Sequence, residues 1–103
     1  MSELKITKKA EGEKITFFIE GRVDTSTSVQ LDNEVKPALD GVKKLVMAFE
    51  NVSYISSSGL RVLLNLHKTM SARGGQLIIS KPTEMVIEVF EVTGFIDILN
   101  IEK

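Results

Sequence analysis

The residues with the most chemical potential lie together in Val52-Ser53-Tyr54-Ile55-Ser56-Ser57-Ser58-Gly59-Leu60. Three consecutive serines there precede the most apolar helical pattern in the chain. A hydroxyl just before a helix accepts a bond from a backbone N–H that has no partner inside the helix. The same position lies at the positive end of the helix dipole, where a phosphate is readily carried or received. On spacing alone two readings stay open: a serine-rich helix cap, and a hydroxyl that another protein modifies.

Self-contained catalysis lacks its parts. A nucleophile elbow needs glycine two residues before and two after the serine, and Ser57 has Ile55 and Gly59 there. His67 is the only histidine, ten residues after Ser57. Along a helix that is about 15 Å, against the roughly 3 Å a general base must span. The absence of cysteine excludes a disulfide framework, a thiolate metal site and a cysteine nucleophile. One histidine and scattered carboxylates form no ligand cluster. Gly74-Gly75 is followed by Gln76 and a strand, not by the Lys-Ser/Thr and helix of a phosphate loop. Glu84, Glu88 and Glu91 recur at about one helical turn, as a solvated face does. The expectation is a protein that is not an enzyme, with no catalytic residue, no metal and no cofactor of its own.

The elements that must position the serines read as follows. Leu4, Ile6 and Lys8 alternate with polar residues as a short half-buried strand would. Glu11-Gly12-Glu13 reads as a hairpin turn, and Lys14 to Gly21, rich in aromatic and β-branched residues, as a second strand. Asp24-Thr25-Ser26-Thr27-Ser28 offers several helix caps. Leu31, Val35, Ala38 and Leu39 then share a helical face, which Pro37 kinks or loosens and Gly41 stops. Lys44 to Phe49 is a near-continuous apolar run, as in an interior strand. Asn51 leads into the serine loop. A helix is expected from Ser57 to about Arg73, with Leu60, Leu63, Leu64, His67 and Met70 on one face, widened by Val62 and Leu66. Gln76 to Ser80 reads as a strand. Pro82-Thr83 starts a third helix that Gly94 caps. Phe95 to Ile101 is expected as a short closing element, helical and docked on the core.

Strand–helix–strand connections argue for parallel crossovers. The expected fold is α/β, a mixed four- to five-stranded sheet with helices packed mainly on one face, as one domain over residues 1–103. At 43% hydrophobic and 26% charged residues the chain is ordinary for a globular domain. A net charge of −1 gives no footprint for nucleic acid or an anionic membrane. No apolar run is long enough for a membrane span. The start, Met1-Ser2-Glu3-Leu4-Lys5, has no hydrophobic signal segment, so a cytoplasmic location is the expectation.

Gly21-Arg22-Val23-Asp24-Thr25-Ser26-Thr27, Lys44-Leu45-Val46 and the run from Val52 to Leu64 together resemble a bacterial STAS domain. The resemblance continues through Gly74-Gly75-Gln76-Leu77 and Glu88-Val89-Phe90-Glu91-Val92-Thr93-Gly94-Phe95, and the length is similar to that of stand-alone anti-sigma factor antagonists. It implies a STAS-like fold and a partner-switching role. The unmodified antagonist would bind an anti-sigma factor, a GHKL-type serine kinase, and so free a sigma factor. That kinase, holding ATP and Mg²⁺, would phosphorylate the antagonist and end the complex, and a PP2C-type phosphatase would reverse the change. The acceptor position, two residues before the motif glycine, maps to Ser57. Asp24 matches an acidic residue of the neighbouring loop that shapes the partner site. Two positions depart from the family pattern: Ala48 and Ser56 stand where aspartates are common.

The expected partner surface comprises Asp24, Thr25, Ser26, Thr27, Ser56, Ser57, Ser58, Gly59, Leu60 and Val62, with Leu66 as a further apolar candidate. Core packing competes with contact for the leucines and for Val62. From a different class comes the alternative of a non-phosphorylated STAS scaffold, such as a transport-accessory subunit that binds an ATPase, with Ser57 only a cap or contact. A small nucleotide-binding protein is the third reading, and it lacks a phosphate loop.

Overall fold

Ile15, Phe17 and Ile19 alternate with polar neighbours and are almost fully buried, so this segment forms a strand with one wet and one dry face. It is the centre of β2 (Lys14–Val23), which pairs antiparallel with β1 (Lys5–Glu11) through a turn at Gly12. The computed structural model describes residues 4–103; the reading of Met1 to Glu3 as part of a leaderless start lies outside them. From β2 onward each strand is followed by a helix and then by a parallel strand. These are α1 (Thr25–Val35), β3 (Lys44–Ile55), α2 (Ser57–Ala72), β4 (Gln76–Ser80), α3 (Glu84–Thr93) and β5 (Asn100–Glu102).

The strands lie in chain order, β1-β2-β3-β4-β5, in one five-stranded mixed sheet. Crossovers of one hand between successive neighbours place their helices on one side. One core results: Leu45, Met47 and Phe49 of β3 and Leu77 and Ile79 of β4 meet Leu31 and Val35 of α1, Leu63, Leu66 and Met70 of α2, and Val86 and Phe90 of α3. Helix ends follow local chemistry. Thr83 Oγ1 caps α3 by accepting from the Val86 N–H at 3.4 Å. Gly94, at φ 84°, closes α3 in the left-handed conformation that glycine adopts without strain.

Three segments differ from the sequence reading. Pro37 falls in a 3₁₀ turn, Lys36–Leu39, appended to α1; this is the loosened ending that a missing N–H produces. The strand before the serines does not stop at Phe49 but runs on to Ile55. Two register shifts against β2, between Phe18 and Glu20 and between Gly21 and Arg22, break the alternation there. The closing element is also corrected. Phe95–Asp97 makes only a 3₁₀ turn, and Asn100–Glu102 adds a parallel edge strand to β4. Asn100 Nδ2 fastens it by donating to the Leu77 carbonyl at 3.2 Å.

Candidate partner-binding site

The serine run is not a loop. Ser56 alone separates β3 from α2, and Asp24 alone separates β2 from α1. Val23 and Ile55, the last residues of the two strands, are partners in the sheet. The Ser56 N–H donates to the Val23 carbonyl at 2.8 Å. Two helices therefore start side by side from adjacent parallel strands, about one strand spacing apart at their roots.

The first start is heavily bonded. Asp24 Oδ1 accepts from the N–H groups of Ser26 at 3.1 Å and Thr27 at 3.0 Å, while the Asp24 N–H donates to Thr27 Oγ1 at 2.8 Å. This is a reciprocal capping box. Thr27 Oγ1 also donates to the Arg22 carbonyl at 2.6 Å, tying the cap back to β2. Bonds from the Thr27 backbone and side chain, and then from Ser26, hold the Asp24 carboxyl below its ordinary 3.8, against a smaller upward push from burial.

The second start is lightly bonded. Ser56 is half-buried, and its Oγ accepts from the Gly59 N–H at 3.2 Å. Ser57, the first helical residue, is exposed, and its hydroxyl makes no hydrogen bond within the described residues. Ser58 is half-buried. The three serines thus have different positions: a cap, a free hydroxyl and a packed neighbour. Gly59 lets α2 lie close to the sheet, because a Cβ there would meet Val23 Cγ1 at 2.7 Å and Ile55 Cγ1 at 2.8 Å. Ser53 Oγ points back to the Gly21 carbonyl, at a long 3.4 Å.

A family model, the STAS domain, matches residues 5–103. The chain belongs to the STAS domain family. BtrV of Bordetella bronchiseptica, a protein named as an anti-sigma factor antagonist, is 31% identical over 96 residues, covering 92% of this chain and 83% of BtrV. The anti-sigma-B factor antagonist of Bacillus subtilis is 28% identical over 98 residues, covering 95% and 90%. Among solved structures, a Thermotoga maritima protein also named as an anti-sigma factor antagonist superposes with a TM-score of 0.88 at 21% identity, covering 95% of this chain and 86% of the other. The Bacillus cell fate determinant SpoIIAA in its phosphorylated form gives 0.74 at 20%, covering 96% and 92%. These two superpositions show the fold.

Not every residue expected at the partner surface of this STAS domain reaches it. Thr25, Ser26 and Ser57 are exposed, and Asp24, Ser56, Ser58 and Val62 are half-buried. Thr27 and Leu60, each 5% exposed, and Gly59 are buried. Leu66 is wholly buried. Thr27, Leu60 and Leu66 therefore face the core, since the apolar stripe of α2 is covered by α1 and the sheet. His67 is half-buried near the middle of α2, and its Nδ1 is shut off from solvent without a hydrogen-bond partner among the described residues. The described residues contain no cluster of His, Cys, Asp or Glu able to hold a metal ion, and no helix long and apolar enough to cross a membrane.

Sequence reasoning passed over two features beside the site. Whereas Leu60 is buried, Val29, one turn into α1 from Thr25 and Ser26, is 58% exposed. Its signal was its position off the Leu31–Val35 face. Arg22 lies over the ring of Tyr54 at 4.4 Å. Their adjacency requires the extended β3, in which Tyr54 is the partner of Arg22.

Proposed function

We propose that this STAS domain is an anti-sigma factor antagonist controlled by phosphorylation of Ser57. One observation carries the assignment: of the three serines, Ser57 alone is both exposed and, among the described residues, unengaged at its hydroxyl, at the first residue of α2. The reading is supported by relatives named as antagonists and by the phosphorylated state of SpoIIAA, which shares the fold.

In this reading the unmodified surface around Ser57, Ser26, Thr25 and Asp24 binds an anti-sigma factor that is itself a GHKL-type serine kinase. The sigma factor is thereby released. Ser57 Oγ attacks the γ-phosphorus of ATP held with Mg²⁺ by the kinase. An O–P bond forms, the bond to the β-phosphate oxygen breaks, ADP leaves, and the hydroxyl proton passes to a base of the kinase. A PP2C-type phosphatase restores the serine by hydrolysis. The antagonist is a substrate and binding partner, not an enzyme, and works in the cytoplasm, where ATP is supplied.

The phosphate adds roughly −1.5 to −2 charges. The start of α2 favours that charge through its dipole and free N–H groups. The fold therefore tolerates phosphorylation, while a surface docked over Ser57 is repelled. Incubation with the cognate kinase, ATP and Mg²⁺ should add one phosphate, placed on Ser57 by peptide mass spectrometry. Phosphate on Ser53 or Ser71 would overturn the assignment. An unmodified protein that still binds an ATPase stably would point instead to a scaffold.

A further inference from the structure

All three helices serve one core, so the sheet has a second face. Phe18 of β2, Val46 and Ala48 of β3, and Ile78 of β4 alternate with the residues packed under the helices and lie outside that cluster, with Val46 half-buried and Ala48 and Ile78 7% and 9% exposed. Register places them together: Phe18 is the partner of Ala48, and Val46 of Ile78. They form an apolar band across the three central strands, with Phe18 44% exposed.

Charges on this face are separated along the strands. At the end where the parallel strands begin lie Lys14 and its partner Lys44, with Lys9 nearby on β1 and Glu11 opposite Lys14. Glu20 and Glu50 lie toward the other end, with Lys5 opposite Glu20. Glu102 of β5 adds a further negative charge there, beside Ser80. One end is net positive and the other net negative. Beside Phe18 the acidic end holds a depression of about 210 Å³ between Glu20 and Glu50, lined also by Ala48, Thr7 and Lys5.

We infer that this face is a docking surface for a second copy of the same chain, with the two sheets packed face to face and their strands running in opposite directions. A two-fold axis parallel to the sheets and perpendicular to the strands lays apolar band on apolar band. It brings the lysine end of each copy over the glutamate end of the other. Such an interface is isologous and closes at two copies. Lys44 of one copy then reaches the depression of its partner, its aliphatic stem against Ala48 and its ammonium group between Glu20 and Glu50. Parallel stacking would set like charges against each other, so the charge pattern selects the orientation. Five strands at about 4.8 Å spacing and some six residues at about 3.3 Å give a face of about 24 by 20 Å. That is at the low end for specific contacts, so the dimer is weak, with a Kd between about 10 µM and about 1 mM. The helix starts that carry Asp24 and Ser57 lie outside this contact.

Sedimentation velocity from about 10 µM to about 1 mM, in low and in high salt, tests the inference. A dimer fraction that rises with concentration and falls with salt is expected. Ala48→Asp, and separately Phe18→Ser, should weaken dimerisation at least tenfold while circular dichroism melting confirms a folded chain. Lys44→Glu and Glu50→Lys should each weaken it, and the double variant should bind more tightly than either single without reaching the parent, because the Lys44–Glu50 pairs are then reversed while the Lys44–Glu20 pairs are lost. A chain that stays monomeric at the highest concentration in low salt overturns the inference. So does a dimer indifferent to Ala48→Asp and Phe18→Ser, or a double variant no better than the singles.

Discussion

The two helix starts rise from neighbouring strands, yet they are built to different standards. Asp24 engages two backbone N–H groups, and Thr27 returns a bond to the Asp24 N–H and another to β2. Ser56 engages one N–H, at 3.2 Å. The first start is a closed unit with its charge already in place. The second has spare capacity: a neutral cap, free backbone donors and an exposed hydroxyl one residue further on. In the proposed switch, a charged shoulder beside an uncharged helix start would give a partner a fixed reference from which to read the state of Ser57. That contrast, more than the number of serines, distinguishes the site from an ordinary capped helix.

The contrast breaks most severely if a permanent charge replaces the free hydroxyl. Ser57→Asp is expected to weaken kinase binding by about 3 kcal/mol, roughly 100-fold, as like charges or a desolvated carboxylate face the partner. Its stability should stay within about 0.5 kcal/mol of the parent, since the position is exposed at a helix start. Calorimetric titration and thermal melting read the two effects separately. A matching loss of stability would refute the surface-switch argument.

Next in size is Gly59→Ala, which should destabilise the fold by about 1–2 kcal/mol in denaturant titration, because the new methyl meets branched side chains at the root of both starts. Alanine's helix propensity would otherwise favour the change. A more stable variant would mean that α2 sits further from the sheet than the geometry has it.

Ser56→Ala should cost about 1 kcal/mol, the ordinary value of one cap, measured in the same way. It sharpens the comparison by testing whether the second start depends on its single bond. The smallest effect concerns Asp24. Its carboxyl is held below the ordinary 3.8 by the bonds from Thr27 and Ser26. A depressed carboxyl contributes stability in full above 3.8 and loses it as pH falls through the lowered value. The stability advantage of the parent over Asp24→Asn should therefore be constant above about pH 5 and shrink in stronger acid. An advantage that grew on acidification would contradict the cap's electrostatics.

Local chemistry made much of this molecule legible in its sequence. The alternation in Lys14 to Gly21 marks β2, and the proline-to-glycine punctuation around Val86–Thr93 marks α3, because both signals act within a few residues. The place of Ser57 at the head of α2 followed from the serine run and the apolar stripe behind it. The tail of β3 was hidden because its bulges put Val52 and Ile55, three residues apart, on the buried side. No period of two survives that. β5 was hidden because three residues make a strand only beside a neighbour already in place, and β4 is 20 residues earlier. The burial of Leu60 depends on how closely α2 approaches the sheet, which Gly59 controls and no spacing rule reveals.

The extension of β3 has a consequence for amide exchange. The last pair between β3 and β4 is Ala48 with Ser80, so Phe49 to Ile55 continues with a strand neighbour on one side only, β2. Beyond that point Thr83, the cap of α3, donates from Oγ1 to the Val52 carbonyl at 2.9 Å. The platform beneath both helix starts is thus a two-stranded extension of the main sheet, packed on the core through Val23, Val52 and Ile55 but without a second strand neighbour for β3. It should open and close as a unit of its own, at lower free energy than the five-stranded body. Deuterium should enter Val52 to Ile55 well before it enters Leu45 to Ala48, and a bound partner should slow the first group far more than the second.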